Sequence, residues 1–281
     1  MSKTSHVRNR DVLAAQGAET LAILERGTYD APSGRTIDLH AALAASVAAT
    51  RDVRPEEAVP APPKGRARTR IEVTDETTLA AVRRLAGRGI APGVLNFASA
   101  RNPGGGFLGG AQAQEESLAR ASGLYACLRG RPMYDHHREF RDPFYTDWAI
   151  ASPGVPVFRD DSGALLEEAH LASFVTCAAV NAGVVLEREP GRRSRIAPTM
   201  RNRIARVLAI FAVLECESIV LGAWGCGVFR CDPSMIAEEF RHALDGAFQG
   251  VFDEAVFAIV DERVGSPIRK PFEAVFAGWG A

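Results

Sequence analysis

The stretch Asn102-Pro103-Gly104-Gly105-Gly106-Phe107-Leu108-Gly109-Gly110-Ala111-Gln112-Ala113-Gln114-Glu115-Glu116 sets the order of the elements around it. Upstream, Val94-Leu95-Asn96-Phe97-Ala98 is an apolar run of the length of a buried strand. Downstream, Leu118, Ala121, Leu124, Tyr125 and Leu128 recur at helical spacing. The order is strand, glycine loop, helix, with two adjacent carboxylates in the first turn of the helix. Glycines in such a loop let backbone approach a ligand closely, because they carry no Cβ.

The alternation extends through the chain. Strands are expected over 35–39, 69–73, 94–98, 149–151, 155–158, 173–180, 218–223 and 255–260. Helices are expected over 9–24, 40–49, 76–88, 112–128, 198–217, 234–247 and 267–276. Thr74-Asp75 reads as the cap of the third helix, and Asp232-Pro233 as the start of the sixth. The segment 129–148 reads as irregular. Apolar strands alternating with helices predict an α/β layer fold with a mostly parallel sheet buried on both faces. The proline-broken, charged run 54–66 is the best boundary, dividing an N-terminal extension, 1–66, from a main domain, 67–281.

At 281 residues, with 47% hydrophobic and 24% charged side chains, the chain can bury a large core. A formal net charge of -1 argues against general affinity for duplex nucleic acid. The five cysteines are scattered, with no Cys-x-x-Cys pair, and read as buried thiols in a reducing compartment. No metal is expected. The first residues (Lys3, His6, Arg8, Arg10) form no apolar leader, and no apolar run approaches the roughly 20 residues of a membrane span. A cytoplasmic protein with no membrane partner and no sequence-specific nucleic acid is expected.

Two strands end in glycine-rich loops, the position where parallel sheets bind ligands. The second loop, Gly222-Ala223-Trp224-Gly225-Cys226-Gly227-Val228-Phe229-Arg230, precedes the helix start at Asp232 and suits a diphosphate. Neither loop ends in the Gly-Lys-Ser/Thr of a P-loop. Gly104-x-Gly106-x-x-Gly109 matches the dinucleotide fingerprint, but the position about 20 residues on, near Leu124, carries no acid. Glu115 and Glu116 complement a helix dipole in the blander reading. Beside three glycines they read as an acid site, with side chains roughly 100° apart around the helix. Adjacent carboxylates on one helix cannot flank a bond from opposite sides, so one working carboxylate is expected.

Gly104-Gly105-Gly106, seven residues, then Gln114-Glu115-Glu116 resembles the signature of the poly(ADP-ribose) glycohydrolases, and the loop Gly222 to Phe229 resembles the macrodomain diphosphate loop. The short helical extension is similar to that of the bacterial type. The resemblance implies a three-layer α/β/α macrodomain with a mixed, mostly parallel central sheet and a helical N-terminal extension. It implies hydrolysis of ribose–ribose O-glycosidic bonds, from chain ends, releasing ADP-ribose from poly(ADP-ribose) or ADP-ribosylated protein. No cofactor is implied. Glu116 would be the general acid and then the base, and Glu115 would hold ribose hydroxyls. Gly104, Gly105 and Gly106 would admit the distal ribose, with Gln114 also at the substrate. Gly225, Cys226, Gly227 and Val228 would bind diphosphate through their amides, and Phe229 would pack on ribose or adenine. Asn96 and Ser99 fall where macrodomains place ribose contacts. A non-catalytic ADP-ribose reader and a hydrolase of mono-ADP-ribosyl groups are the alternatives.

Outside these loops, His136-His137, Thr176, Asn181 and Trp224 are weaker candidates. The arginines of 192–195 and 201–203 read as a solvated basic face, with contact to polymer phosphates the alternative.

Overall fold

Strands with both faces apolar need helices on both sides, and the chain supplies them. Residues 3–65 and 67–279 are described in a computed structural model, with side chains from Arg10 onward. Four parallel strands share the sheet interior: β7 (Leu165–Cys177), β5 (Gly93–Phe97), β8 (Ser218–Leu221) and β9 (Glu254–Ala258), neighbours in that order. β4 (Arg70–Thr74) runs parallel to β9 at one edge. At the other side β6 (Ala149–Arg159) is antiparallel to β7, and β3 (Arg51–Val53) is antiparallel to β6. Alternate residues of one strand serve opposite cores. Val94 and Val220 pack with α3 (Thr78–Ala86), α4 (Gln114–Ala121), α5 (Leu124–Leu128) and α6 (Pro132–Glu139). Leu95, Ile219 and Leu221 pack with α7 (Ala182–Arg188), α8 (Ile196–Val213), α9 (Pro233–Asp245) and α10 (Arg269–Phe276). The result is the expected three-layer α/β/α arrangement with a mixed, mostly parallel sheet of seven strands.

The residues before the 54–66 run contribute to the main sheet through β3. They also form α1 (Lys3–Arg26), the small antiparallel pair β1 (Thr28–Asp30) and β2 (Thr36–Asp38), and α2 (His40–Ala49). Residue 66, where the boundary was drawn, lies outside the described residues. α1 lies against the first glycine loop: Arg10 Nε donates to Gly109 O at 2.9 Å, and Thr20 Oγ1 to Arg120 O at 2.6 Å. Gly17 permits this approach, since a Cβ there would lie 3.0 Å from Phe107 O.

Several local expectations are corrected. Thr74 ends β4, so the cap of α3 is Thr77, whose hydroxyl accepts from Ala80 N at 3.0 Å. The helix expected over 112–128 is two helices. Ser122 is extended and pairs with Val157, and Gly123 N donates to Pro156 O at 2.9 Å. The 129–148 segment is not all irregular, because Pro132 starts α6. The strands expected at 149–151 and 155–158 are one strand, β6, with a register shift between Ser152 and Val155 around Gly154, whose φ is +62°.

Candidate active site

The carboxyl ends of β5, β8 and β9 open into a cleft of about 600 Å³. The first glycine loop forms one wall. Asn102 O accepts from Gly105 N at 3.0 Å, turning the chain so that Gly104 and Gly105 adopt φ values of +69° and +60°. These are left-handed conformations that glycine adopts without steric cost. A short 3₁₀ turn, Phe107–Gly109, buries Phe107 and returns the chain to α4. The three glycines then face the first turn of α4: Gly106 N donates to Glu116 Oε1 at 3.0 Å. A Cβ on Gly105 would lie 2.7 Å from Glu116 Cδ and 3.2 Å from Glu115 Oε2, so the two carboxyl groups meet over this one residue.

The two carboxyls differ in environment. Glu116 is half-buried and lines the cleft. Glu115 is 3% exposed; its Oε2 accepts from Ser99 N at 2.5 Å, and its Oε1 has no partner among the described residues. Burial pushes the Glu115 carboxyl up to about 8, the negative charge of Glu116 adds to this, and the Ser99 N–H partly opposes it. Glu115 is therefore mostly protonated at neutral pH. Arg120 follows Glu116 by one helical turn and is buried, with Nη1 donating to Ala111 O at 2.7 Å. Burial lowers the Arg120 pKa, and the charge of Glu116 counteracts that drop. Arg120 and the Gly106 amide thus flank the Glu116 carboxyl from the helix side and the loop side.

Two expected substrate contacts have other partners. Gln114 borders the cleft, but its Oε1 accepts from Phe97 N at 2.9 Å and its Nε2 donates to Leu95 O at 2.8 Å and Thr78 Oγ1 at 3.3 Å. Its amide pins the start of α4 to the end of β5, which fixes where Glu115 and Glu116 lie. Asn96 is wholly buried and donates to Thr176 Oγ1 at 3.2 Å, so it packs behind Glu115 and does not reach the cleft surface. Ser99 does line the cleft; besides its N–H on Glu115, its hydroxyl accepts from Asn102 N at 3.2 Å.

The second loop forms the facing wall. Gly225 has φ +80°, and a Cβ there would lie 2.7 Å from Ala179 Cβ. Cys226 N donates to Ala223 O at 3.1 Å, which removes that amide from the expected diphosphate set. The amides of Gly225, Gly227, Val228 and Phe229 donate to no acceptor among the described residues. Four such donors close together favour an anion. Asp232 caps α9 as expected, accepting from Met235 N at 2.8 Å. Phe229 is half-buried, its ring 6.0 Å from that of Tyr145.

Tyr145 and Arg120 were missed in the sequence. Tyr145 has φ +52° and reaches the cleft from the loop before β6, a placement with no local signal. Arg120 was readable, four residues after Glu116 on the same helix face. The weaker candidates are structural. Trp224 is fully buried, its indole N–H on Cys177 O at 3.2 Å. His137 bridges Ala100 O and Thr146 Oγ1, and burial lowers it to about 4. Asn181 caps α7. Arg203 is not part of a solvated face: it is 1% exposed and paired with Asp147 at 2.9 Å.

A parallel sheet layered between helices, with an anion loop and an acid loop at its carboxyl edge, defines a macrodomain-class protein. Residues 17–160 match the family described as microbial-type PARG, catalytic domain. The chain is 48% identical to the crystal structure of poly(ADP-ribose) glycohydrolase from Thermomonospora curvata, with a TM-score of 0.89 over 95% of this chain and 100% of that one. It is 47% identical to that enzyme bound to the inhibitor ADP-HPD (TM-score 0.86, covering 94% and 99%). It is 43% identical to the Deinococcus radiodurans glycohydrolase in complex with ADP-ribose (TM-score 0.79, covering 84% and 98%). No curated protein sequence matches it. The chain belongs to the microbial-type poly(ADP-ribose) glycohydrolase family.

Proposed function

We propose that Glu116 is the working acid of a poly(ADP-ribose) glycohydrolase. The activity follows from the family; the roles of single residues are read from the cleft. The carrying observation is the contact of Gly105 and Gly106 with Glu116, which holds one carboxylate in the cleft wall beside a second, buried carboxyl. The amides of Gly225, Gly227, Val228 and Phe229 take the diphosphate of the bound unit, and Phe229 packs on its sugar or base. The distal ribose enters over Gly104–Gly106.

Glu116 then protonates the 2′-oxygen of the departing ribose as the C1″–O bond breaks. The oxocarbenium-like ribose is stabilised by the adjacent diphosphate, and Glu116 takes a proton from the water that attacks C1″. In the free enzyme burial keeps a proton on Glu115. Glu115, protonated, donates to a ribose oxygen and orients the sugar.

Incubation with poly(ADP-ribose), followed by chromatography, tests the reading. Release of ADP-ribose by the wild type and none by Glu116→Gln supports it; binding without release would make the chain a reader. Action from chain ends, on ADP-ribosylated protein, in the cytoplasm and in the response to DNA damage belongs to the same proposal. So does the division into an extension, 1–66, packed on a catalytic domain, 67–281. Among the described residues no helix is long and apolar enough to cross a membrane.

A further inference from the structure

One cation in the cleft has no task in the scheme above. Arg101 is exposed and lines the cleft, and its guanidinium makes no hydrogen bond or ion pair among the described residues. Its backbone is held: the carbonyl accepts from Arg138 Nη1 at 2.7 Å, and the amide faces Ser99 Oγ at 3.4 Å. The next residue, Asn102, closes the turn that sets Gly105 against Glu116. Arg101 is thus a cation on a fixed base, one residue from the turn that packs against the acid. Arg138, which donates to the Arg101 carbonyl, is itself paired with Asp135.

The direction of the substrate, taken from the proposed function on which this inference rests, says which anion arrives there. The bond broken joins C1″ of the bound unit to the 2′-oxygen of the next unit. The bound unit's own diphosphate faces the opposite loop, at Gly225–Phe229. The departing chain carries its diphosphate one ribose beyond the broken bond, away from the bound unit, and Arg101 and Asn102 are exposed at the turn that sets Gly105 against Glu116. The lining elsewhere includes the carboxylates Glu76, which is paired with Arg84, and Asp161, which repel phosphate. We propose that Arg101 forms a subsite for the diphosphate of the departing chain. It makes a polymer a better substrate than ADP-ribose carried on a neutral group. A guanidinium suits this task because its planar fork pairs with two phosphate oxygens at once.

The test compares two substrates: poly(ADP-ribose), and ADP-ribose bearing a neutral aryl group at C1″. For Arg101→Ala, KM for polymer should rise about tenfold, and the salt dependence of log(kcat/KM) should flatten by about one. Arg101→Glu should be worse, and Arg101→Lys should recover part of the loss. Cleavage of the aryl substrate and affinity for free ADP-ribose should both stay within about twofold. An equal loss on both substrates would overturn the subsite, because it would assign Arg101 to the bound unit's own diphosphate. Unchanged polymer kinetics would overturn it too. A wild type that releases no ADP-ribose from polymer would instead remove the functional reading beneath it.

Discussion

Glu116 occupies the space that a side chain at residue 105 would need. The loop and the acid are one device, in which bare Cα atoms make room and the Gly106 amide holds the carboxylate. Gly105→Ala combines this overlap with a φ of +60°, which costs any L-residue about 1–2 kcal/mol by itself. Turnover should fall by about 100-fold or more, since small misplacements of catalytic groups have effects of this size. Gly109→Ala is the control. No heavy atom lies within 4 Å of its Cβ position, and stability should stay within about 0.5 kcal/mol. Steady-state kinetics and thermal melts of the two variants check this.

Glu116→Gln keeps the shape and removes the transferable proton. Turnover should drop about 10²–10⁴-fold, the usual range for a general acid. ADP-ribose affinity, measured by calorimetry, should change by less than about threefold. Normal polymer degradation by this variant would remove Glu116 from the acid's role.

Gln114→Ala separates a ligand contact from a positioning one. Its amide satisfies Phe97 N and Leu95 O, so truncation leaves two backbone groups short and should cost about 1–3 kcal/mol of stability. A residue that only touched substrate would lower affinity and leave the melting temperature alone. We expect the melting temperature and turnover to fall together.

Two buried groups give opposite pH dependences. Glu115 is raised from 4.5 to about 8, so the folded state binds its proton more tightly than the unfolded state does. Its contribution to stability is complete below about pH 4.5 and is lost as pH rises to about 8. His137 is lowered from 6.5 to about 4, and its contribution is lost as pH falls through that interval. In urea titrations Glu115→Gln should remove the alkaline-side loss, becoming relatively more stable by on the order of 3 kcal/mol between pH 5 and 8. A wild type and variant that keep a constant difference over this range would contradict the buried, protonated carboxyl.

What was legible in the chain was what short-range chemistry fixes. The glycines and Gln114-Glu115-Glu116 are close in sequence and touch in space, so their spacing carried the information. Asp232-Pro233 announced α9 because a cap acts over three residues. The errors lie where distant groups decide. The macrodomain resemblance made Asn96 a ribose contact, but a pairing with Thr176, eighty residues away, turns its side chain inward. The break between α4 and α5 depends on Pro156, and a Cβ at Gly123 would meet Leu43 Cδ2 at 2.6 Å. β3 has three residues, too few for a period, and exists because β6 offers it an edge.

The first glycine loop has two faces. One carries Glu116's partner amide, and the other rests on α1 through Arg10 and Gly17. If nucleotide sugar settles this loop into one shape, it also tightens the seat of the helix, and by thermodynamic reciprocity the seated helix tightens the grip on the sugar. Saturating ADP-ribose should then slow amide exchange along α1, far from any atom the ligand touches. Freeing that helix should weaken binding by the same factor. The first helix is in this sense a second ligand, tethered to the protein it binds.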